Sequence, residues 1–395
     1  MKIHTARHGE TVNDVAALYG ADKESIMINN ELRTPILTEG QELLILIPTR
    51  TYTVKSGDTP EKISMRFGVK IKDLYALNPL LSRKGLAPGD TIILKCAERT
   101  HGMAVGNGYF YNGCTIEKLK RALPYLTYVT FASAINDDRG IHKLFDDSEA
   151  VKFATESEKL PVVRIYNKRK ENYSKERNAV LCEKIIEYTK DNGYKGIALP
   201  TGEYGDKKMD FSAFIMELRK RMIGNDLILL TELDENSPPE FCEYADASII
   251  SYPKYALNDI KSFDDGEIQV FSNFAATAES AKTFIDIPAL AKGINSYICI
   301  QDAIDIARNS GYGIKVDEDT LISEFSTRKN EKYQYTSLKN IKAVFNLLYE
   351  YGYMGICFDI MRTPLSHLMM YNSMFKTSSY TSVRSREGCS RDPEW

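Results

Sequence analysis

The sequence predicts an α/β protein in two parts: a large (β/α)8 barrel with a small α+β insertion and, ahead of it, two small βααβ modules. Three observations carry this. Residues 107–375 hold eight short apolar runs separated by helical stretches, the pattern of a buried parallel sheet wrapped in helices. Residues 1–49 and 50–96 align with each other almost without gaps, and a repeat of that length is a small unit used twice. The length of 395 residues exceeds one ordinary domain and suits two modules plus a barrel.

The repeat is legible residue by residue. Thr5, Gly9, Thr11, Gly20, Asn30 and Leu32 recur 48 residues later as Thr53, Gly57, Thr59, Gly68, Asn78 and Leu80. After one inserted residue, Leu37 and Gly40 recur as Leu86 and Gly89. Each copy opens on an alternating strand, Ile3-His4-Thr5-Ala6 or Tyr52-Thr53-Val54-Lys55. A Gly-acid-Thr turn follows, Gly9-Glu10-Thr11 or Gly57-Asp58-Thr59, whose Thr is placed to cap the next helix. In the second copy Pro60 and Glu61 strengthen that start. Val15, Leu18 and Tyr19, like Ile63 and Phe67, recur at helical spacing, and Gly20 and Gly68 stop the helices. A second helix ends near Asn30 or Asn78. Gly40-Gln41 and Gly89-Asp90 then turn the chain into a closing strand, Leu43–Ile45 or Ile92–Leu94.

These residues resemble the LysM module over about 2–48 and 51–95. The second copy follows the pattern closely: Tyr-Thr-Val-Lys-x-Gly-Asp-Thr, then Asn-Pro, then Pro-Gly-Asp. The first is looser, with His8 and Glu10 in its turn and no Pro before Gly40. The resemblance implies binding of an N-acetylglucosamine-containing glycan, peptidoglycan or chitin-like. The expected contact positions are Gly9, Glu10, Thr11, Asn30 and Gly40 in one copy, and Gly57, Asp58, Thr59, Asn78, Pro88, Gly89 and Asp90 in the other.

Residues 97–106 read as a linker. The barrel strands are expected at Tyr109–Tyr111, Tyr128–Ala132, Val162–Tyr166, Gly196–Leu199, Leu227–Thr231, Ala247–Tyr252, Thr283–Ile287 and Gly355–Asp359. The stretch 294–336 is long enough for an inserted α+β element. Residues 376–395, rich in Ser, Thr and Arg, read as a disordered tail.

The order of parts, with Tyr125–Val129, Asn192–Ile197, Ser251-Tyr252 and Lys339–Leu348 leading into Gly355-Ile356, resembles the spore-cortex-lytic N-acetylglucosaminidases of glycoside hydrolase family 18. That family ends its fourth strand on Asp-x-Glu. The Glu protonates the leaving oxygen and the Asp orients the substrate's own acetamido group, the substrate-assisted variant of glycoside hydrolysis. Here the segment reads Gly196-Ile197-Ala198-Leu199-Pro200-Thr201-Gly202-Glu203-Tyr204. Pro200 stands where the orienting Asp belongs, Gly202 where the acid belongs, and Glu203 one residue beyond. The Tyr-Asp closing strand six is Tyr252-Pro253, and the Trp expected at the end of strand eight is absent, since Trp395 is the sole Trp.

Three classes of function stay open on the sequence. One is a glycan-binding protein of the spore envelope with a degenerate barrel. Another is an active glycosidase using Glu203, with Tyr252 gripping the sugar and Asp359 or Glu232 as substitute carboxylates. The third is a coat scaffold whose barrel is a protein-binding platform, with other spore-coat proteins as partners. The cluster Glu232, Asp234 and Glu235 reads as a solvated loop after strand five. Apart from His4 and His8 the five His residues lie far apart, and neither a metal nor any other cofactor is expected. A formal net charge of −3 argues against a nucleic-acid partner, and no apolar run reaches membrane-spanning length. The chain opens on the first module's strand without a signal-peptide pattern, which points to synthesis in the cytoplasm and deposition on the spore. The seven Cys are odd in number and contain no CxxC pair, as thiols of a reducing compartment would be. Intact-mass analysis after alkylation without reductant should therefore find all seven modified; two or more native disulfides would reject this.

Overall fold

In the computed structural model, residues 1–96, 101–168, 175–201, 208–233, 237, 239–251, 280–287, 289–293, 297–318 and 320–377 are described. The first module pairs Lys2–Thr5 antiparallel with Glu42–Ile45 around helices Val12–Tyr19 and Lys23–Asn29. Thr11 caps the first helix in a reciprocal box with Asp14, and Gly20 ends it in the left-handed conformation. The second module pairs Pro48–Thr53 with Thr91–Cys96 around Pro60–Phe67, Ile71–Leu77 and the short turn Leu81–Lys84. Thr59 caps and Pro60 opens its first helix, as the sequence predicts. Each module has its own apolar centre, Val12, Val15, Ile26 and Leu43 in one and Ile63, Leu74, Ile92 and Leu94 in the other.

The barrel strands are Met103–Phe110, Tyr128–Asp137, Leu160–Asn167, Gly196–Pro200, Ile228–Leu233, Ala247–Ser251, Thr283–Asp286 and Gly355–Asp359. Each pairs in parallel with the next, and the eighth pairs with the first, so the sheet closes. Alternation sends Val105, Tyr128, Leu160, Val162, Ala198, Ile228, Leu230, Ile249, Phe284 and Cys357 into one apolar cluster, the barrel interior. The residues between them, such as Val129, Val163, Ile197 and Leu229, pack outward under the helices.

The two outer boundaries of the barrel differ from expectation. The first strand starts at Met103, inside the stretch read as linker. Its Gly106 and Gly108 break the apolar signal, yet they are required: a Cβ on Gly106 would lie 2.3 Å from the Tyr125 carbonyl oxygen. Lys376–Thr377, read as the start of the tail, pairs with Met103–Ala104; residues 378–395 lie outside the described residues. The insertion is an antiparallel five-stranded sheet from Leu290 to Thr336 with helix Ile300–Ser310 packed on it.

The modules are docked on the barrel. Leu44, Leu46, Ala76 and Cys96 belong to the same apolar core as the barrel helices. The Tyr125 hydroxyl donates to the Ala76 carbonyl at 2.8 Å. Arg33 pairs with Asp302 and Asp305 of the insertion helix at 2.7 and 2.6 Å. Arg121 pairs with Glu31, and the Ile314 N–H donates to the Glu39 carbonyl at 2.7 Å.

Gly40 lies at this junction, and a Cβ there would sit 1.7 Å from the Ile314 carbonyl oxygen. Its counterpart Gly89 shares the positive φ, +98° against +78°, but meets nothing within 4 Å among the described residues. Gly89→Ala should cost the left-handed penalty alone, about 1–2 kcal/mol. Gly40→Ala should cost distinctly more, because backbone cannot yield as a side chain does. Equal losses in thermal unfolding would contradict the docking.

Candidate functional site

The carboxyl ends of the barrel strands are where this architecture places its chemistry. Pro200 ends strand four. It lies two residues after Ala198 and so shares the inward face, and it stands opposite Glu232 in the register of strands four and five. Glu232 is not in a loop, as the sequence suggested; it lies within the strand Ile228–Leu233, on the inward side with Ile228 and Leu230.

Glu232 has partners on two other strands. The Arg164 Nε donates to both of its oxygens at 2.8 and 2.6 Å, and the Tyr109 hydroxyl donates to Oε1 at 3.2 Å. Side-chain exposure is 17% for Arg164 and 11% for Glu232, so each charge depends on the other for compensation. Burial works against the Arg164 charge, but the carboxylate outweighs it and its pKa is raised. The Tyr109 pKa is raised well above its ordinary value, by burial first and by Glu232 second. The guanidinium also lies 4.0 Å over the Tyr166 ring. The network joins strands one, three and five across the barrel end.

Asp359 ends strand eight. Its Oδ1 accepts from the Tyr111 hydroxyl at 2.9 Å and from the Met361 and Arg362 amides at 3.0 Å each. Its Oδ2 accepts from Tyr111 at 3.1 Å and faces Arg362 at 3.5 Å. It holds the turn that leaves the barrel. Glu203, Gly202, Tyr252, Pro253, Asp234 and Glu235 lie outside the described residues. No helix is long and apolar enough to cross a membrane, and no cluster of potential metal ligands occurs, among the described residues.

Sequence reasoning missed Arg164 and Tyr109. A signal existed: Arg164 interrupts the otherwise apolar Leu160–Ile165, and a charge on a buried strand calls for an opposite charge across the barrel.

In the modules, the predicted contact residues sort into two kinds. The polar ones shape their own loops. Glu10 accepts from the Arg7 amide at 2.8 Å and pairs with His4 at 2.9 Å. Asp58 likewise accepts from the Lys55 amide and the Tyr52 hydroxyl, both at 2.7 Å. These bonds, the amide first, hold the Asp58 carboxyl below its ordinary pKa. Thr11 and Thr59 are helix caps. Asn30 and Asn78 each clamp a helix end to the closing strand, Asn30 through Ile26 and Leu44 and Asn78 through Leu74 and Ile93. Asp90 accepts from the Ala87 amide at 2.9 Å. Gly9, Gly57, Pro88 and Gly89 are exposed at the loop surfaces, whereas Gly40 is half-covered.

A cavity of about 550 Å3 lies where the first module, the insertion and the end of strand eight meet, with Asn30, Glu31, Cys299, Tyr335, Arg362 and His367 among its walls. Burial lowers the His367 pKa to about 3, so this imidazole is neutral near pH 7.

The LysM domain family model matches residues 4–46 and 52–95. The chain carries two LysM domains. The barrel's likenesses are to glycosidase folds. The solved structure of the spore cortex-lytic enzyme SleL of Bacillus megaterium QM B1551 aligns over 95% of this chain and 98% of its own, at 18% identity and a TM-score of 0.72. The class V chitinase of Nicotiana tobaccum aligns over 70% of this chain and 100% of its own, at 10% identity and a TM-score of 0.57. At these identities the likeness is one of fold alone, a (β/α)8 barrel, here preceded by two LysM domains. A sequence relative named "Putative sporulation-specific glycosylase YdhD", from Bacillus subtilis (strain 168), is 24% identical over 245 residues. The match spans 58% of this chain and 57% of that relative's length, less than two thirds of it.

Truncating one member of the mouth pair should show its structural weight. Arg164→Met should destabilise the protein by about 3–5 kcal/mol by leaving Glu232 buried and unpaired. Arg164→Met combined with Glu232→Gln should recover much of that in urea unfolding. A single variant no weaker than the double would contradict the pairing.

Proposed function

We propose that this protein binds an N-acetylglucosamine-containing wall glycan, peptidoglycan or a chitin-like polymer, at the spore envelope, and that its barrel is an inactive relative of the family 18 glycosidases. The LysM domains supply the ligand class, and the likeness to spore-associated proteins supports the location. Deposition on the spore belongs to this reading, as do other coat proteins as further partners.

The observation that carries the loss of catalysis is the inward residue at the end of strand four, Pro200. Substrate-assisted hydrolysis needs a carboxylate there to hold the acetamido group, and proline offers neither charge nor donor. Two carboxylates that could substitute, Glu232 and Asp359, are engaged elsewhere. The two oxygens of Glu232 share the Arg164 Nε–H, and the two oxygens of Asp359 share the single Tyr111 O–H. A general acid needs a proton on an oxygen aimed at the leaving group, and its absence removes about 10²–10⁴-fold in rate.

The test uses the full chain, because its modules share a core with the barrel. It should co-sediment with insoluble peptidoglycan or chitin. It should release no reducing ends from N-acetylglucosamine oligomers or cortex fragments above a no-protein control, and Glu203→Gln should change neither result. Hydrolysis that disappears in Glu203→Gln would establish the enzyme reading, with Glu203 as its acid.

A further inference from the structure

We infer that the two LysM domains are not equivalent: the second is the open glycan-binding module, and the first is a docking module whose corresponding loop is closed by the barrel's insertion. This rests on the glycan-binding reading above and assigns it to one of the two copies.

The argument compares matched positions. In the second module the loop before the closing strand runs through Ala87, Pro88, Gly89 and Asp90, and all four are exposed. Among the described residues, nothing lies within 4 Å of a Cβ built on Gly85 or Gly89. In the first module the same positions are Thr38, Glu39, Gly40 and Gln41. Thr38 is 5% exposed and Gln41 1%, Gly40 is half-covered, and Glu39 keeps its side chain in solvent. Residues Gly313-Ile314 of the insertion lie along this loop. The Ile314 N–H donates to the Glu39 carbonyl at 2.7 Å, Gly313 faces the Glu39 side chain, and the Ile314 carbonyl occupies the space over Gly40.

The rest of the first module's loop is engaged as well. Glu31 accepts from the Leu365 amide at 2.9 Å and pairs with Arg121. Arg33 spans Asp302 and Asp305. Glu42 takes the Lys339 ammonium at 3.3 Å. The turn on the other side, around Gly9, stays exposed in both copies. A glycan that must lie between the two loops therefore finds both walls free in the second module and one wall covered in the first. Opening the first would break the Arg33 and Glu31 ion pairs together with the Ile314 contact. A polymer is thus gripped at one module per chain, without the avidity that two independent copies would supply.

The experiment measures retention of the full chain on insoluble peptidoglycan, with two pairs of substitutions at exposed positions. Ala87→Arg with Pro88→Arg crowds the open loop of the second module. His8→Arg with Ile36→Arg crowds the surface of the first module that remains exposed. Retention should fall about tenfold or more for the second-module pair, a loss of about 1.4 kcal/mol, and should change less than about twofold for the first-module pair. Circular dichroism melts confirm that all variants fold. Equal losses in the two pairs, or a loss confined to the first-module pair, would overturn the inequality while leaving the glycan-binding reading intact. Retention that neither pair disturbs would place binding on the barrel and overturn the assignment. A parent chain not retained at all would sink the underlying reading, and this one with it.

Discussion

The closed hydrogen-bonded sheet is the constraint on which the rest of the structure depends. Strand eight must lie close enough to strand one to pair with it, and that seam turns on Gly355. A Cβ there would fall 1.7 Å from the Val105 carbonyl oxygen. Gly196 has the same kind of contact with Ile228 between strands four and five. Once the sheet closes, alternation leaves no choice about which side chains enter the barrel. The lower part of that interior fills with Val, Leu, Ile and aromatic residues. Polar residues near the carboxyl ends must then find partners across the barrel, since neighbours on their own strand point outward.

This explains the character of the mouth. Arg164 and Glu232 come from strands three and five and meet because inward positions at similar heights face each other. Such a pair contributes little net stability over an apolar pair of the same shape, yet each member is costly to leave alone. It also ties Glu232 to strands one and three. Asp359 is held by a different route, as the cap of the turn after strand eight. Glu232 and Asp359 thus both make contacts that serve the fold.

The modules show the converse. Two nearly superposable sequences have come to occupy different environments, because one copy faces the insertion and the other does not. Their internal devices are conserved in kind: a Thr cap, a turn carboxylate bonded to a strand side chain, an Asn clamp on the closing strand. What differs lies outside the module, in Asp302, Asp305, Ile314 and Lys339, all of them distant in the chain.

Sequence alone determined the periodic and local features. The eight parallel strands, the two βααβ units and the caps at Thr11 and Thr59 are properties of spacing and residue type, which act over a few residues and leave a direct mark. The insertion was legible too, from the length between strands seven and eight. Strand one was misplaced because close packing required glycines where an apolar run would have announced it. Only the tertiary structure decided the partnership of Arg164, Glu232 and Tyr109, which depends on barrel closure and register, and the roles of Asn30 and Asn78, whose amides reach across the module to the closing strand. It also decided the unequal fates of Gly40 and Gly89. Those two glycines are the same letter in the same motif with the same left-handed backbone. What separates them is a carbonyl oxygen from Ile314, brought there by a fold that no local pattern in either repeat encodes.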